Sequence, residues 1–388
     1  DEIPFINCRN EGGAANMADA YGKLTGEPGL LFVTRGPGAS NATIGLHTAF
    51  QDSTPLIMFI GQVGTDFMDR EAFQEIDYRR VYGHMTKWVA QIERADRMAE
   101  YVSRAFHTAV SGRPGPVVLA LPEDVLTQTA AVPDAQRYQR VAAHPGAADM
   151  RKLRDMLEHA ERPLVILGGS GWTVQACADM RAFAEANDLP VATGFRRANL
   201  YDNRLPNYVG DVGIGINPAL ATRVKGSDLL IVVGSRMGEM ASSAYTLLDV
   251  PRPKQKLVHV LSGAEELGRV YQADMLINSG MPEFAAALRA LPGVQRRPWV
   301  EWKDGARADY EQWLVPGPMP GDLDFGAVMV HVRKRLPAGS IVTNGAGNFA
   351  GWVHRFYQYT GLPTELAPTS GAMGYGVPAA VAAKLVHP

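Results

Sequence analysis

Apolar runs alternate with amphipathic stretches along the first third of the chain. Continuous apolar runs at residues 30–34, 56–60 and 116–121 predict buried strands, and glycine-containing turns follow the first two. The periodic segment 40–51 predicts a helix between the first two strands. Because continuous apolar strands flanked by helices are typical of parallel sheets covered on both faces, we expect that architecture here.

The same alternation returns after residues 129–149, which are rich in Ala, Pro and polar residues and predict a linker. The pattern predicts strands at 163–168, 190–193, 229–234 and 257–261, with helices at 173–187, 217–225 and 282–291. Residues 292–320, rich in Trp and Pro, predict a second linker. The pattern of this middle region therefore predicts a second α/β unit.

A third unit is predicted from about residue 322, with helices at 325–335, 349–359 and 377–385 and a strand at 340–343. One helix-strand-helix and a loop-helix cannot form a domain, so we expect this unit to be incomplete. The predicted domains are therefore residues 1–130, 147–292 and 320–388.

Composition narrows the class of protein. A formal net charge of −2 gives no electrostatic reason to expect binding to nucleic acid or to an acidic membrane. No apolar run reaches the roughly 18 residues of a membrane span. Cys8 and Cys177 are the only cysteines, too few for a disulfide framework or a zinc site, which favours the cytoplasm.

The most informative residue is Glu11, which is followed by small residues and the start of a predicted helix. It also follows the apolar residues 3–6, which predict a short strand. Small residues beside an acid let a flat ring approach it. The structural alternative is a solvated acid favoured by the helix dipole.

Further short runs are weak signals alone but occur in a defined order. They are 35–41, which is a glycine turn entering a helix, Gly61-Gln62-Val63, 72–75, 111–117, 121–124 and 369–376. Together with Glu11, this ordered set resembles the thiamine-diphosphate enzymes of the acetolactate synthase and benzoylformate decarboxylase group. Gly61-Gln62-Val63 and Ala72-Phe73-Gln74-Glu75 make the acetolactate synthase-like branch the nearest.

The resemblance implies an α/β protein with three doubly wound parallel-sheet domains. A pyrimidine-binding and a diphosphate-binding domain would flank a Rossmann-like central domain. The first domain would lack its first strand and helix, and the third would stop before the Gly-Asp-Gly…Asn segment that holds Mg²⁺. We therefore expect no metal ligands in this chain, although thiamine diphosphate and Mg²⁺ would be the cofactors.

The resemblance also implies roles for individual residues. Glu11 would bond the pyrimidine N1′, and we expect apolar burial to raise its pKa. Met373 would fold the cofactor into its bent shape, with the Gly371 carbonyl accepting from the 4′-amino group. Phe73 and Gln74 would face the thiazolium ring and the substrate. The structural alternatives are a core methionine and a core phenylalanine.

The remaining cofactor-binding residues would line the pyrimidine pocket and are Pro37, Gly38 and Asn41. In this family each site usually combines domains of different subunits, so the resemblance implies a homodimer or homotetramer. The reaction would be decarboxylation or carboligation of a small 2-oxo acid, through a C2 ylide and an enamine.

Some positions depart from the family pattern. Gly12 stands where Gln is frequent, and 347–349 replaces a frequent Gly-Gln-His, which indicates a pocket unlike the standard pyruvate pocket. The central segments 209–215 and 234–239 depart from the expected flavin pattern and argue against FAD.

Three alternatives stay open from the sequence. One is a thiamine-diphosphate decarboxylase or C–C hydrolase acting on another oxo substrate. The second is a nicotinamide dehydrogenase using the glycine run 168–171, which lacks the full G-x-G-x-x-G spacing. The third is a non-catalytic subunit with the same fold, against which Glu11 and Met373 argue.

Overall fold

The computed structural model describes residues 3–319 and 321–388, which form two compact units. The first unit contains the described residues up to Val141, together with Thr343–Ala346 and Leu366–Pro388. The second contains the described residues of Ala142–Val342 and Gly347–Glu365. The residues of the predicted third domain are thus divided between the two units, and the three-domain boundaries stay a prediction.

The first unit is built on a parallel four-stranded sheet in the order β1-β2-β4-β3. Its strands are β1 (Gly29–Val33), β2 (Leu56–Gln62), β3 (Trp88–Gln91) and β4 (Pro116–Pro122). Its first five helices are α1 (Glu11–Thr25), α2 (Pro37–Asp52), α3 (Tyr78–Tyr82), α4 (Met98–Val110) and α5 (Glu123–Leu126). The parallel sheet is as predicted, whereas β3 was missed.

Apolar clusters cover both faces of this sheet. One face packs against α1 and α2, with Leu31, Met58 and Val118 in its core, and the other packs against α4. Helices α1 and α2 lie so close that a Cβ atom on Gly45 would be 2.4 Å from the Cβ of Ala15. The helix pair therefore depends on small residues along its seam.

The short strand predicted before Glu11 is wrong. Residues 3–6 form no strand, and the side chains of Ile3 and Phe5 are 82% and 76% exposed. Within the described chain, β1 is an edge strand that pairs with β2, and residues 3–6 do not extend the sheet beside it.

The second unit contains a parallel six-stranded sheet in the order β10-β9-β8-β5-β6-β7, a doubly wound arrangement. Its strands are β5 (Pro163–Leu167), β6 (Val191–Gly194), β7 (Tyr208–Val212), β8 (Leu229–Val233), β9 (Lys256–Leu261) and β10 (Met275–Asn278). Its helices are α6 (Ala147–Glu158), α7 (Val174–Ala186), α8 (Pro218–Gly226), α9 (Met281–Arg289), α10 (Val300–Trp313), α11 (Phe325–Arg335) and α12 (Ala350–Phe356). The predicted α/β class with parallel sheets is confirmed.

The two predicted linkers have different outcomes. Residues 128–146 contain no helix or strand, as predicted. The prediction for 292–320 is wrong, because α10 occupies its middle. Trp299, at the start of that helix, is fully buried and donates its indole N–H to the Asn187 carbonyl at 3.0 Å. Trp299 therefore anchors α10 to the hydrophobic core of the second unit.

The remaining elements are the two-residue strands β11 (Val342–Thr343) and β12 (Glu365–Leu366) and the last helix, α13 (Gly376–Val386). Helix α13 belongs to the first unit, where it packs against α1. No helix in the described part of the chain has the length and apolar character needed to cross a membrane.

Candidate active site

Glu11 is the first residue of α1, and its carboxylate is held in place from two directions. Asn10 caps the helix by accepting the Gly13 N–H at 3.2 Å. Asn41, the fifth residue of the α2 helix (Pro37–Asp52), donates its side-chain N–H to Oε2 of Glu11 at 3.1 Å. The side chain is half-buried in the single chain, so the expected enclosure by apolar groups is absent there. The acid thus keeps a face open to a ligand.

A glycine turn at the carboxyl end of β1 forms the wall beside this acid. Gly36 has a φ of 56°, in the left-handed region that favours glycine, and Pro37 opens α2. A Cβ atom on Gly38 would lie 2.7 Å from Cγ2 of Thr34 and 3.6 Å from Oε1 of Glu11. A side chain at position 38 would therefore collide with Thr34, so only glycine lets the backbone of α2 pass this close to the Glu11 carboxylate.

The loop with Phe73 and Gln74 lies against the same turn. Arg35 donates its Nε–H to the Phe73 carbonyl at 3.2 Å, and a Cβ on Gly36 would be 2.7 Å from Cβ of Gln74. Phe73 is 77% exposed, so it is not a core residue of this chain. The structure therefore brings both residues to the neighbourhood of the glycine turn.

Glu75 shapes this loop, a role that sequence reasoning missed. Its carboxylate accepts the backbone N–H groups of Asp69 at 2.8 Å and Ala72 at 2.9 Å. These hydrogen bonds to the charged form lower the pKa of Glu75. In the sequence, the only indication of this role is that Glu75 directly follows Gln74.

The loop with Gly371 and Met373 projects into solvent. Met373 is 75% exposed, which contradicts the alternative of a core methionine for this chain. Gly371 and Gly374 have φ values of 70° and 77°, so the backbone turns through the left-handed region on both sides of Met373.

Met373 and Glu11 are associated with opposite ends of α2. The hydroxyl of Ser370, next to the Met373 loop, lies 3.0 Å from that of Thr48. Asn41, whose side chain binds Glu11, precedes Thr48 in the same helix. At 1.5 Å per residue the two residues are about 10 Å apart along the helix axis. The described chain therefore groups Glu11 with Gly38 and Asn41 but records no contact between Glu11 and Met373.

The glycine run 168–171 in the second unit is engaged within its own fold. Gly168 donates its N–H to the Val233 carbonyl at 2.9 Å and accepts the Trp172 indole N–H at 2.8 Å. Helix α7 starts only at Val174, capped by Thr173. A dinucleotide fingerprint needs its glycines at the helix start, so this geometry favours a structural turn.

The ends of the two central segments that depart from the flavin pattern, at 213–215 and Glu239, contribute to the lining of an open cavity of about 290 Å³. Its lining residues are Gly213, Ile214, Gly215, Ile216, Glu239, Met240, Ser243 and Ala244.

No group of three or more His, Cys, Asp or Glu side chains that could hold a metal ion occurs within residues 3–319 and 321–388.

Three family models match the chain, and together they cover well over half of it. They describe the N-terminal TPP-binding domain of thiamine pyrophosphate enzymes at residues 1–81, the central domain at 150–288 and the C-terminal TPP-binding domain at 345–388. The chain belongs to the thiamine pyrophosphate enzymes. Thiamine pyrophosphate is thiamine diphosphate, so the predicted resemblance and class of enzyme are confirmed.

Relatives of this thiamine pyrophosphate enzyme include acetolactate synthase subunits. The whole chain aligns with 69% of the isozyme 2 large subunit of Escherichia coli K12, at 29% identity over 390 residues. It aligns with 63% of the large subunits of Corynebacterium glutamicum and Parasynechococcus marenigrum, at 28% and 30% identity. The chain thus spans about two thirds of the length of these relatives. The comparisons support chemistry of the acetolactate synthase type on a 2-oxo acid.

Proposed function

We propose that the complete protein uses thiamine diphosphate and Mg²⁺ to decarboxylate a 2-oxo acid and join the remaining acyl unit to a second carbonyl compound. The acetolactate synthase relatives support this reaction type. The observation that carries it is the Glu11 carboxylate, bonded by Asn41 and facing the side-chain-free Gly38. A partly exposed carboxylate held by a neighbouring amide suits the protonatable nitrogen of a flat heterocycle.

The residues of the first unit fit the pyrimidine ring of the cofactor. When bound, thiamine diphosphate supplies the electron sink for breaking the bond between the carboxyl and carbonyl carbons. Glu11 would hold a proton at N1′, and Asn41 would fix the orientation of its carboxylate. Pro37 and Gly38 would form the wall of the ring pocket. Phe73 and Gln74, on the adjoining loop, would contact the substrate.

A second subunit is part of the proposal. Met373 and Gly371 would contact the cofactor held by Glu11 of another copy, because the described chain does not bring Met373 to Glu11. The exposure of Met373 supports this arrangement, since a large apolar side chain open to water gains from being covered. We therefore propose a homodimer or homotetramer whose sites each combine two chains.

The proposal needs Mg²⁺ but not FAD. Thiamine diphosphate carries its negative charge on the diphosphate, and Mg²⁺ is held by oxygen ligands that include substrate or cofactor phosphates. FAD is left out because the central segments 209–215 and 234–239 depart from the expected flavin pattern.

The test is Glu11→Gln in the complete protein, with Glu27→Gln as the matched control on an exposed glutamate near the end of α1. Carbon dioxide release from a panel of 2-oxo acids should fall by about 100-fold or more in Glu11→Gln, the range of a lost proton-transfer group. The thermal unfolding midpoint should stay close to that of the unsubstituted protein, and the control should match it in both measurements.

Activity of Glu11→Gln within about twofold of the unsubstituted protein would overturn the proposed role of Glu11, given the 10²-fold minimum expected of such a group. Chiral analysis of the products separates the carboligase from the alternatives. A joined hydroxy-ketone supports carboligation, whereas an aldehyde or acid alone indicates a decarboxylase or C–C hydrolase.

A further inference from the structure

A buried ammonium group lies near the carboxyl ends of α1 and α2. The Lys23 side chain is 4% exposed, and its Nζ lies 2.9 Å from Oδ2 of Asp19. The same Nζ pairs with Oδ2 of Asp52, at the end of α2. Both aspartate side chains are fully buried. Such charges are retained in a protein interior only with close partners, so the three groups act as one network.

Asp52 connects this network to the start of the Met373 loop. Its Oδ1 accepts the backbone N–H of Thr369 at 2.8 Å and also bonds the Thr369 hydroxyl. These bonds join the end of α2 to a residue more than three hundred positions later in the sequence. A hydrogen bond from a neutral donor to a charged acceptor is among the stronger ones in proteins.

Asp19 and Lys23 connect the network to the other end of the loop. The Tyr375 hydroxyl donates to Oδ2 of Asp19 at 2.7 Å. Nζ of Lys23 lies 3.1 Å from the same hydroxyl and 4.5 Å from the centre of the tyrosine ring. Lys23 also donates to the carbonyl of Ala367 at 3.3 Å, just before the loop.

Between these anchor points, Ala372 is buried and the loop backbone passes close to Gly345, on which a Cβ atom would lie 3.6 Å from the Gly374 nitrogen. Ser370 reaches Thr48 by a hydroxyl contact, while Met373 stays 75% exposed. Residues 371–374 form no helix or strand. The buried network therefore holds both ends of this segment, at Thr369 and Tyr375.

We propose that Lys23 is a positioning residue for the cofactor loop. Through Asp52 and Asp19 it fixes Thr369 and Tyr375, and so presents Gly371 and Met373 in a set geometry to thiamine diphosphate. This inference rests on the proposed function. A loop ordered before the cofactor arrives loses less conformational entropy on binding, so the network should act on cofactor affinity.

The test is Tyr375→Phe in the complete protein, which removes one hydroxyl but keeps the ring and every charge of the network. Substitution of Lys23 itself risks unfolding. The control is Tyr208→Phe, which deletes a buried hydroxyl 3.1 Å from the Thr193 hydroxyl in the second unit. Hydrogen–deuterium exchange without cofactor reports the order of residues 366–376, and calorimetry with Mg²⁺ reports the Kd for thiamine diphosphate.

In Tyr375→Phe we expect amides of 366–376 to exchange about tenfold faster, as local opening becomes easier. The Kd for the cofactor should rise about fivefold, while kcat at saturating cofactor stays within about twofold. Tyr208→Phe should change neither the exchange of 366–376 nor the Kd, even if it lowers the unfolding midpoint equally.

Unchanged exchange of 366–376 in Tyr375→Phe, or equal loosening in Tyr208→Phe, would overturn the inference. A loosened loop with an unchanged Kd would also overturn it, because the loop would then have no bearing on the cofactor. If the unsubstituted protein bound no thiamine diphosphate, the proposed function would fail, while the exchange data would still decide whether the network orders the loop.

Discussion

Each of the two units contains a pair of carboxylic acids largely removed from solvent, and the pairs differ in their surroundings. In the first unit, the Lys23 ammonium contacts both Asp19 and Asp52. In the second unit, Glu365 is buried and Asp211 is half-buried, and Glu365 accepts the Asn199 N–H at 3.3 Å.

The pKa values reflect this difference. Burial, followed by the charge of Glu365, raises the pKa of Asp211 to about 7. Burial also raises the pKa of Glu365 to about 7, against the opposing effects of the Asn199 N–H and Arg197. For Asp19, burial again raises the pKa, but the Lys23 charge opposes it as the next largest cause. Contact with the Lys23 ammonium stabilises the charged forms of Asp19 and Asp52, so this pair connects structural elements. Among the described residues, Asp211 and Glu365 have no ammonium in contact, and their pKa values rise to about 7.

The largest effect is expected from Lys23→Met, which removes the ammonium and leaves two acids enclosed. The free energy of unfolding should fall by about 3–5 kcal/mol, the typical cost of breaking a buried ion pair from one side. Urea unfolding measures it, with Lys225→Met on an exposed lysine of α8 as the control. A loss below about 1 kcal/mol would show that the first pair does not depend on its ammonium.

A smaller, pH-dependent effect is expected from Glu365→Gln. Unfolded, Asp211 and Glu365 release protons near pH 4, whereas folded they keep them up to about pH 7. The folded state therefore binds more protons in this window, so stability falls as pH rises from about 4 to about 7 and then levels off. Since Gln cannot ionise, the variant should lose much of this slope.

Unfolding free energies at a series of pH values check this prediction. Between pH 4.5 and 8 the variant should gain roughly 1–3 kcal/mol relative to the unsubstituted protein. Glu265→Gln, on an exposed glutamate of the second unit, should leave the slope unchanged. Parallel curves for Glu365→Gln and the unsubstituted protein would contradict the raised pKa.

The smallest effect is expected from Asp19→Asn. Lys23 and Asp52 would remain as a pair of opposite charges, and the amide carbonyl of the new side chain could still accept from Tyr375. The cost should be about 1 kcal/mol, as for one weakened hydrogen bond. The same urea experiment measures it beside Lys23→Met. Equal losses in the two variants would mean that the network depends on both acids, rather than on its ammonium.

The strands that the sequence predicts well lie mainly inside the sheets. β2, β4, β5, β8 and β9 have neighbours on both sides, and their continuous apolar runs marked them to within two residues. The missed strands β3, β7, β10 and β12 all lie at a sheet edge. β3, β10 and β12 have four residues or fewer, and Asp211 interrupts the apolar run of β7, so their apolar signal is weak.

Helix α10 was missed for a related reason. Its inward-facing residues Lys303, Ala306 and Tyr310 include a charged side chain and a small one, so the segment lacks an apolar stripe. The Trp and Pro residues around it suggested a linker instead. Packing within the second unit, rather than its own pattern, makes this segment a helix.

The candidate site was partly accessible from sequence. The juxtaposition of Glu11, Gly38 and Asn41 follows from a family resemblance and from helix starts meeting at one end of a sheet. The network around Lys23 had only a local signal, the i, i+4 spacing of Asp19 and Lys23. Its partner Tyr375 is too distant in sequence for any local pattern to indicate it.

The tight seam between α1 and α2 limits how proteins of this kind can diverge. A side chain at Gly45 would collide with Ala15, so a larger residue at this position requires the backbones of α1 and α2 to move apart. Phe73, by contrast, stands in water on a loop closed by Glu75, and its replacement disturbs no core. New substrate preferences can therefore arise at the loop while the helices that carry the acid stay fixed.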